Sequence, residues 1–457
     1  MNRKEQKVLV VGAGKSGIAA ARALAEQGAA VTLCDQKPLE QWATSLDLAE
    51  KGVTLYGGGY PELARSGFAE VVLSPGVSIL GSLAQEAAQL GIKVTGELEL
   101  AFSLSHEPWI AITGTNGKTT TTSLVGAILA EAGWQPLVGG NIGQPLIEEV
   151  QLPGKYKSVV AEVSSFQLET VERFQPRVAM ILNITPDHLD RHGTMENYRA
   201  MKARIFARQQ PSDITVLNAD DPLVASLASD CPGKVLLFSR LGEVAVGAFV
   251  REGWIVFRDD QGERPVVSID ELQIKGAHNV ENALAACAGS MALGVAADVV
   301  GRSMQAFQPV EHRMEPVATV DGVLYVNDSK GTNPDATIKA IESYRQPVVL
   351  IAGGKNKGSD FADLAQVVAQ RVKWLVLVGQ AADLIEAAVR ATGFDRITRV
   401  ATYPEAVKAA QAQATLGDVV LLSPACASMD MFRNYEERGQ VFKQLVCSLP
   451  AGKVLAH

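Results

Sequence analysis

Short apolar runs of strand character alternate along this chain with longer Ala- and Leu-rich stretches of helical period. Residues 7–11 read as a buried strand, 12–17 as a turn, 18–27 as a helix stopped by Gly28, and 30–35 as the next strand. A run at 71–73 enters Ser74-Pro75-Gly76, followed by a helix near 82–90 and a strand at 92–94. Further on, an apolar strand begins at Ile110, and 158–164 and 178–184 repeat the pattern before a helix at 197–208. From 214 to 275 the pattern is strand-rich and alternating, then an Ala-rich helix opens at His278. Residues 323–326, 348–352, 375–378 and 419–422 are strands with helices between them. Strand–helix alternation predicts α/β architecture, with parallel sheets covered by helices. The breaks predict three domains, 1–96, 97–310 and 311–457, and the length of 457 residues at roughly 150 per domain agrees.

Composition narrows the class. With 47% hydrophobic and 20% charged residues the chain is ordinary globular material. Five cysteines without a CxxC pair point to a reducing compartment and against a disulfide framework or structural zinc. No signal-type leader and no stretch of about 18 uncharged apolar residues stands out, so a cytoplasmic protein with no membrane partner is expected. A net charge of −8 argues against general nucleic-acid binding, so any phosphate site must be made locally positive.

The most informative stretch follows the strand at Ile110: Gly114-Thr115-Asn116-Gly117-Lys118-Thr119-Thr120. A glycine turn between a buried strand and a helix aims backbone N–H groups at a polyphosphate; the Lys neutralises phosphate oxygens and the Thr hydroxyl can hold Mg²⁺. It departs from the Walker A pattern, which would place glycine where Ile112 stands. Glu162, near the carboxyl end of the next strand, is placed for the Mg²⁺ of a nucleotide. His188 lies in Thr185-Pro186-Asp187-His188-Leu189-Asp190-Arg191-His192 at another strand end, and Lys202 lies on the helix beyond. Asn279 and Asn282 sit one turn apart at a helix start, where they read a base edge or merely cap. Near the N-terminus, Gly12-Ala13-Gly14-Lys15-Ser16-Gly17 is a full GxGxxG with Asp35 ending the following strand. That geometry suits NAD, another nucleotide diphosphate, or tight packing alone. Polar loops at 327–333, 353–359 and 423–430 form a candidate ligand rim in the third block. Together these features describe an ATP-using enzyme assembled across a cleft. Two further ligand sites suit a ligase better than a motor.

The loop Thr113–Thr120, Glu162-Val163-Ser164-Ser165-Phe166-Gln167, Asp187-His188-Leu189-Asp190-Arg191-His192, Asn327-Asp328-Ser329-Lys330-Gly331-Thr332-Asn333-Pro334 and the run from Ser423 to Gly439 together resemble the Mur ligase family. The resemblance covers nearly the whole chain; its third-domain motifs are the specific part, and the central ones are shared with folylpolyglutamate synthetases. It implies a Rossmann-like N-terminal domain binding UDP, not NAD. A central P-loop ATPase domain with a mainly parallel sheet follows, then a Rossmann-like C-terminal domain that binds D-glutamate and closes on ATP through a hinge near 310–313. The implied activity is ATP-dependent ligation of D-glutamate to UDP-N-acetylmuramoyl-L-alanine through an acyl phosphate, by a monomer. By resemblance Lys118 contacts the γ-phosphoryl group, Thr119 and Glu162 hold one Mg²⁺, and His188 a second, oriented by a carbamylated Lys202. Asn141, Asn279 and Asn282 are implied for substrate phosphate or base, and Arg313, Asp328 and Lys330 for ATP. Thr332, Lys357, Ser428 and Tyr435 are implied for D-glutamate, with Lys355 an alternative to Lys357. For the UDP portion the matches are Ser16, Asp35, Gln36, Ser74 and Gly76. The rivals are a sister Mur ligase or folate-type ligase, and an NAD-dependent oxidoreductase. No Asp-Asn-Pro-Arg signature of the diaminopimelate-adding relatives is present.

Overall fold

The computed structural model describes residues 3–42, 46–143, 145–152, 154–449 and 454–456. Its strands form three sheets. The first is wholly parallel and runs, in spatial order, Thr54–Gly57, Ala30–Asp35, Lys7–Val11, Glu70–Leu73 and Lys93–Gly96. The central sheet has nine strands. Its parallel part sets Val178–Ile181, Trp109–Thr113 and Ser158–Glu162 side by side, and the hairpin strands Trp254–Asp259 and Gly262–Ser268 close one edge antiparallel. The third sheet has seven strands, with Val323–Asn327, Val419–Leu422 and Val348–Ala352 adjacent and parallel. Strands buried on both faces, such as Trp109–Thr113, read as unbroken apolar runs because helices cover both sides of a parallel sheet.

Two element ends differ from the expected ones. The first helix is Lys15–Glu26, starting three residues early, because Gly12 at φ +100° turns the chain so tightly that Lys15 already lies in the helix. The strand expected over 178–184 ends at Ile181. Beyond it, the Asn183 carbonyl accepts from the Thr115 amide at 2.9 Å, and the Ile184 amide donates to Asp221 at 2.7 Å. The chain there serves the glycine loop instead of a neighbouring strand. No helix is long and apolar enough to cross a membrane among the described residues.

At the seam of the first two sheets, Glu97 opens the helix Glu97–Leu104, is 3% exposed, and accepts the Ile147 amide at 3.1 Å. Burial pushes its carboxyl up to about 7 from an ordinary 4.5. The folded chain therefore keeps a proton that the unfolded chain releases, so this group's contribution is complete below the unfolded pKa and lost as pH rises through 7. Glu97→Gln should make the unfolding temperature fall less between pH 5 and pH 8 than in the unaltered protein. Parallel pH profiles from thermal scans would show that Glu97 is not the titrating group.

Candidate functional site

The carboxyl ends of three adjacent central strands open onto one cleft, which is where an open α/β sheet binds ligands. Trp109–Thr113 leads into the glycine loop and the helix Lys118–Glu131. Gly117, at φ +85°, faces Asn282, whose Oδ1 would lie 2.2 Å from any Cβ placed there. The loop is held from behind: the Asn116 amide donates to Asn183 Oδ1 at 2.8 Å. Lys118 folds back, its Nζ donating to the carbonyls of Gly114 at 2.9 Å and Thr115 at 2.7 Å. Burial lowers its pKa, against the pull of Glu162 and Asp187.

Glu162, 1% exposed, closes the strand Ser158–Glu162. Thr119 Oγ1 donates to one of its oxygens at 2.7 Å and Asn141 Nδ2 to the other at 3.0 Å. Burial opposes its charge, but Lys330 and Lys118 hold the carboxyl below the usual carboxylate range. An ionised carboxylate beside a threonine hydroxyl is the oxygen donor set a hard divalent cation prefers. Thr115 Oγ1 turns away, donating to the Thr185 carbonyl at 3.1 Å. Thr120 faces a separate cavity shared with Asn279 and Arg313.

A cavity of about 390 Å³ joins Lys118 and Asn141 to His188 and Lys202 on the central side. Thr332, Lys357 and Ser428 complete it from the third sheet's loops, and Tyr435 from the start of the helix Tyr435–Cys447. His188 adopts φ +54° at the start of a one-turn helix, its ring centroid 4.7 Å from that of Phe166. Burial lowers its pKa to about 4, against Asp187, so the ring is neutral at physiological pH and free to bind a metal through nitrogen. Lys202 is 1% exposed; its Nζ donates to the Gly114 carbonyl at 2.8 Å and lies 4.5 Å from the Tyr198 ring centre. Burial, then Lys118, drive its pKa well below that of an ordinary lysine. Lys355 is exposed and pairs through its backbone with Ala427, whereas Lys357 Nζ donates to Asp187 at 2.8 Å.

Arg313 and Asp328 line a second small cavity against Asn116, Gly117 and Asn282. Burial pushes the Asp328 carboxyl up to about 6, while Ser423 Oγ donates to it at 2.7 Å. Burial lowers Lys330 to about 8; its Nζ lies 5.0 Å from the Tyr435 ring centre. Asn282 donates to Asn279 at 3.0 Å, and Asn279 donates to the Lys275 carbonyl at 2.8 Å. The pair therefore orient each other, and Asn282 is the one that fronts the cavity of Arg313 and Asp328.

The first-sheet residues stand apart. Ser16, Asp35, Gln36, Ser74 and Gly76 gather at their own sheet's rim, and none lines the cavity of Lys118 and Lys202. Asp35 accepts the amides of Ala13 at 2.7 Å and Lys37 at 2.9 Å, so it stiffens the glycine turn. Sequence reasoning did not single out Asp187, Asn333 or Asp335. Asn333 Nδ2 donates to Asp187 at 3.2 Å and to Asn116 Oδ1 at 3.2 Å, and Asn116 Nδ2 donates to Asp335 at 2.6 Å. These contacts bring the third sheet's loops against the glycine loop. Asn333-Pro334 was readable as a helix start, which it is, but nothing local announces its distant partners.

Three family models match this chain: Mur ligase MurD-like, N-terminal domain, over residues 6–96; Mur ligase middle domain, over 112–289; and Mur ligase, glutamate ligase domain, over 312–426. A UDP-N-acetylmuramoylalanine–D-glutamate ligase of Pelotomaculum thermopropionicum is 53% identical over 448 residues, 98% of each chain. One of the same name from Koribacter versatilis is 49% identical over 447 residues, again 98% of each. Among solved structures, a MurF ligase from Thermotoga maritima in complex with ADP superposes with a TM-score of 0.60 at 18% identity, covering 92% of this chain and 96% of that one. At that identity the likeness concerns the fold.

Proposed function

This chain belongs to the Mur ligase family, and we propose that it joins D-glutamate to UDP-N-acetylmuramoyl-L-alanine with cleavage of ATP to ADP and phosphate. The observation that carries this reading is the single cavity walled by the phosphate loop on one side and by Thr332, Lys357 and Ser428 on the other. The names of relatives about half identical over nearly the full length support the choice of acceptor over that of a sister ligase.

A carboxylate is a poor electrophile because it is anionic and would have to expel oxide. Transfer of the γ-phosphoryl group to it gives an acyl phosphate; the amine nitrogen then attacks the carbonyl carbon, and the C–O bond to phosphate breaks. Two polyanions meet in the first step, so positioned cations supply most of the stabilisation. In this reading Lys118 leaves the loop carbonyls for the γ-phosphoryl oxygens, while Asn279, Asn282, Arg313, Asp328 and Lys330 orient the nucleotide. Lys357, Thr332 and Ser428 hold the D-glutamate carboxylates, with Tyr435 closing the pocket; the exposure of Lys355 favours Lys357. Asn141 faces the nucleotide-sugar, and Ser16, Asp35, Gln36, Ser74 and Gly76 receive its UDP end.

Thr119 and Glu162 would hold one Mg²⁺, and the neutral His188 a second. When bound, these ions neutralise phosphate oxygens and polarise the carboxylate. Burial lowers the pKa of the Lys202 amine well below that of an ordinary lysine, which favours the neutral form that adds to CO₂; with loss of one proton this gives a carbamate, whose carboxylate would serve the second ion.

The test is phosphate release from ATP with UDP-N-acetylmuramoyl-L-alanine, with and without D-glutamate, compared with L-glutamate, L-lysine and diaminopimelate. Release that needs both the nucleotide-sugar and D-glutamate is expected. Release with another amino acid instead would move the chain to a sister activity.

A further inference from the structure

Arg191 joins two parts of the molecule that this reaction must hold in register. It lies in the one-turn helix Leu189–His192, three residues after His188, with its side chain 15% exposed. Its Nε donates to Glu169 Oε1 at 2.9 Å and its Nη2 to the other oxygen, a forked pair on a carboxylate only 5% exposed. The outer edge of the guanidinium reaches the first sheet's rim: Nη1 donates to the Pro75 carbonyl at 3.1 Å and Nη2 to the Val77 carbonyl at 3.2 Å. That turn is itself tied to the glycine turn, because Ser74 Oγ donates to the Gly12 carbonyl at 3.1 Å. The central carbon of the same guanidinium lies over the Phe166 ring, 4.0 Å from its centre, and Phe166 meets His188 edge-on.

One side chain thus spans the turn at 74–77, a buried acid and the ring that packs on His188. Only a planar cation with several fixed donors does this; a lysine ammonium is a point charge and makes no such fork. The acid neutralises the cation, so the two carbonyls are gripped without leaving an unpaired buried charge.

We propose that Arg191 is a positioning residue that holds the 74–77 turn and the His188 ring in one geometry, so that a nucleotide-sugar seated on the first sheet delivers its carboxylate to the cavity. The proposal rests on reading 74–77 as part of the nucleotide-sugar site. A strut with a purely structural role would change stability without distinguishing one substrate from another.

The experiment is steady-state kinetics of full-length Arg191→Lys with each of the three substrates varied in turn, together with its unfolding temperature and calorimetric titration with UDP-N-acetylmuramoyl-L-alanine. Loss of charge-assisted hydrogen bonds should raise the nucleotide-sugar KM about tenfold and leave the ATP KM within about twofold. Glu169→Gln, which keeps the shape and weakens the fork, should show the same pattern to a smaller degree, and it carries the test should Arg191→Lys fail to fold. An unchanged nucleotide-sugar KM, or an equal rise for all three substrates, would overturn the proposal. If the unaltered protein releases no phosphate with D-glutamate, the functional reading fails on its own. Arg191 is then judged by calorimetry, where equal nucleotide-sugar affinity in both proteins would sink it.

Discussion

Lys118→Met should lower kcat by about a hundred- to a thousandfold, the range found when one preorganised charge-stabilising group is removed from a transition state. The structure supplies the reason. Lys118 Nζ rests on the Gly114 and Thr115 carbonyls, neutral acceptors that hold it beside the place where γ-phosphoryl oxygens would gather. Glu162 and Asp187 oppose the burial that would discharge it. Methionine keeps the length and volume of the side chain but has no charge. Removing the ammonium leaves the Gly114 and Thr115 carbonyls without this donor and Glu162 with one cation fewer, so the unfolding temperature is measured beside the rate, and a rate lost by protein that is still folded reads as lost chemistry. Single-turnover formation of ADP with saturating nucleotide-sugar is the measurement. A rate within threefold of the unaltered enzyme's would remove Lys118 from the phosphoryl-transfer step.

The second large effect concerns Lys202. Its amine is buried against the Gly114 carbonyl and the Tyr198 ring, and burial lowers its pKa well below that of an ordinary lysine. A neutral amine is the form that adds to CO₂, whereas only roughly one ordinary lysine in a thousand is uncharged at physiological pH. Enzyme stripped of CO₂ should therefore lose activity and recover it with bicarbonate. Lys202→Arg should be about a hundredfold slower or worse and indifferent to bicarbonate, since arginine stays cationic where a carboxylate is required. Intact and peptide masses should show one CO₂ on Lys202 that acid removes. A rate independent of CO₂, with an unmodified Lys202 peptide isolated under neutral conditions, would refute the carbamate.

Both effects start from residues legible in the chain, yet for different reasons. The phosphate loop and Glu162 announce themselves locally: a glycine turn between an apolar strand and a helix, and an acid at the end of a run that is otherwise wholly apolar. The GxGxxG turn was legible as a shape but not as a ligand, since the same backbone takes several diphosphates. In the folded chain its acid, Asp35, is engaged by the Ala13 and Lys37 amides. Lys202 was the opposite case. On its helix it reads as part of a solvated basic face, and only the packing of the central domain buries it and changes its chemistry.

By itself the sequence determined the strand–helix alternation, the tight turns and the cation-bearing loops, because these depend on φ/ψ preferences and periodicity over a few residues. The tertiary structure alone decided which of those loops meet. Asp187 takes Lys357 from 170 positions away, Asn116 takes Asp335 from 219 positions away, and Arg191 reaches Pro75 across 116. Which acid faces which base, and which amine has its pKa driven down, follows from long-range packing and the desolvation it imposes, and no local pattern encodes either.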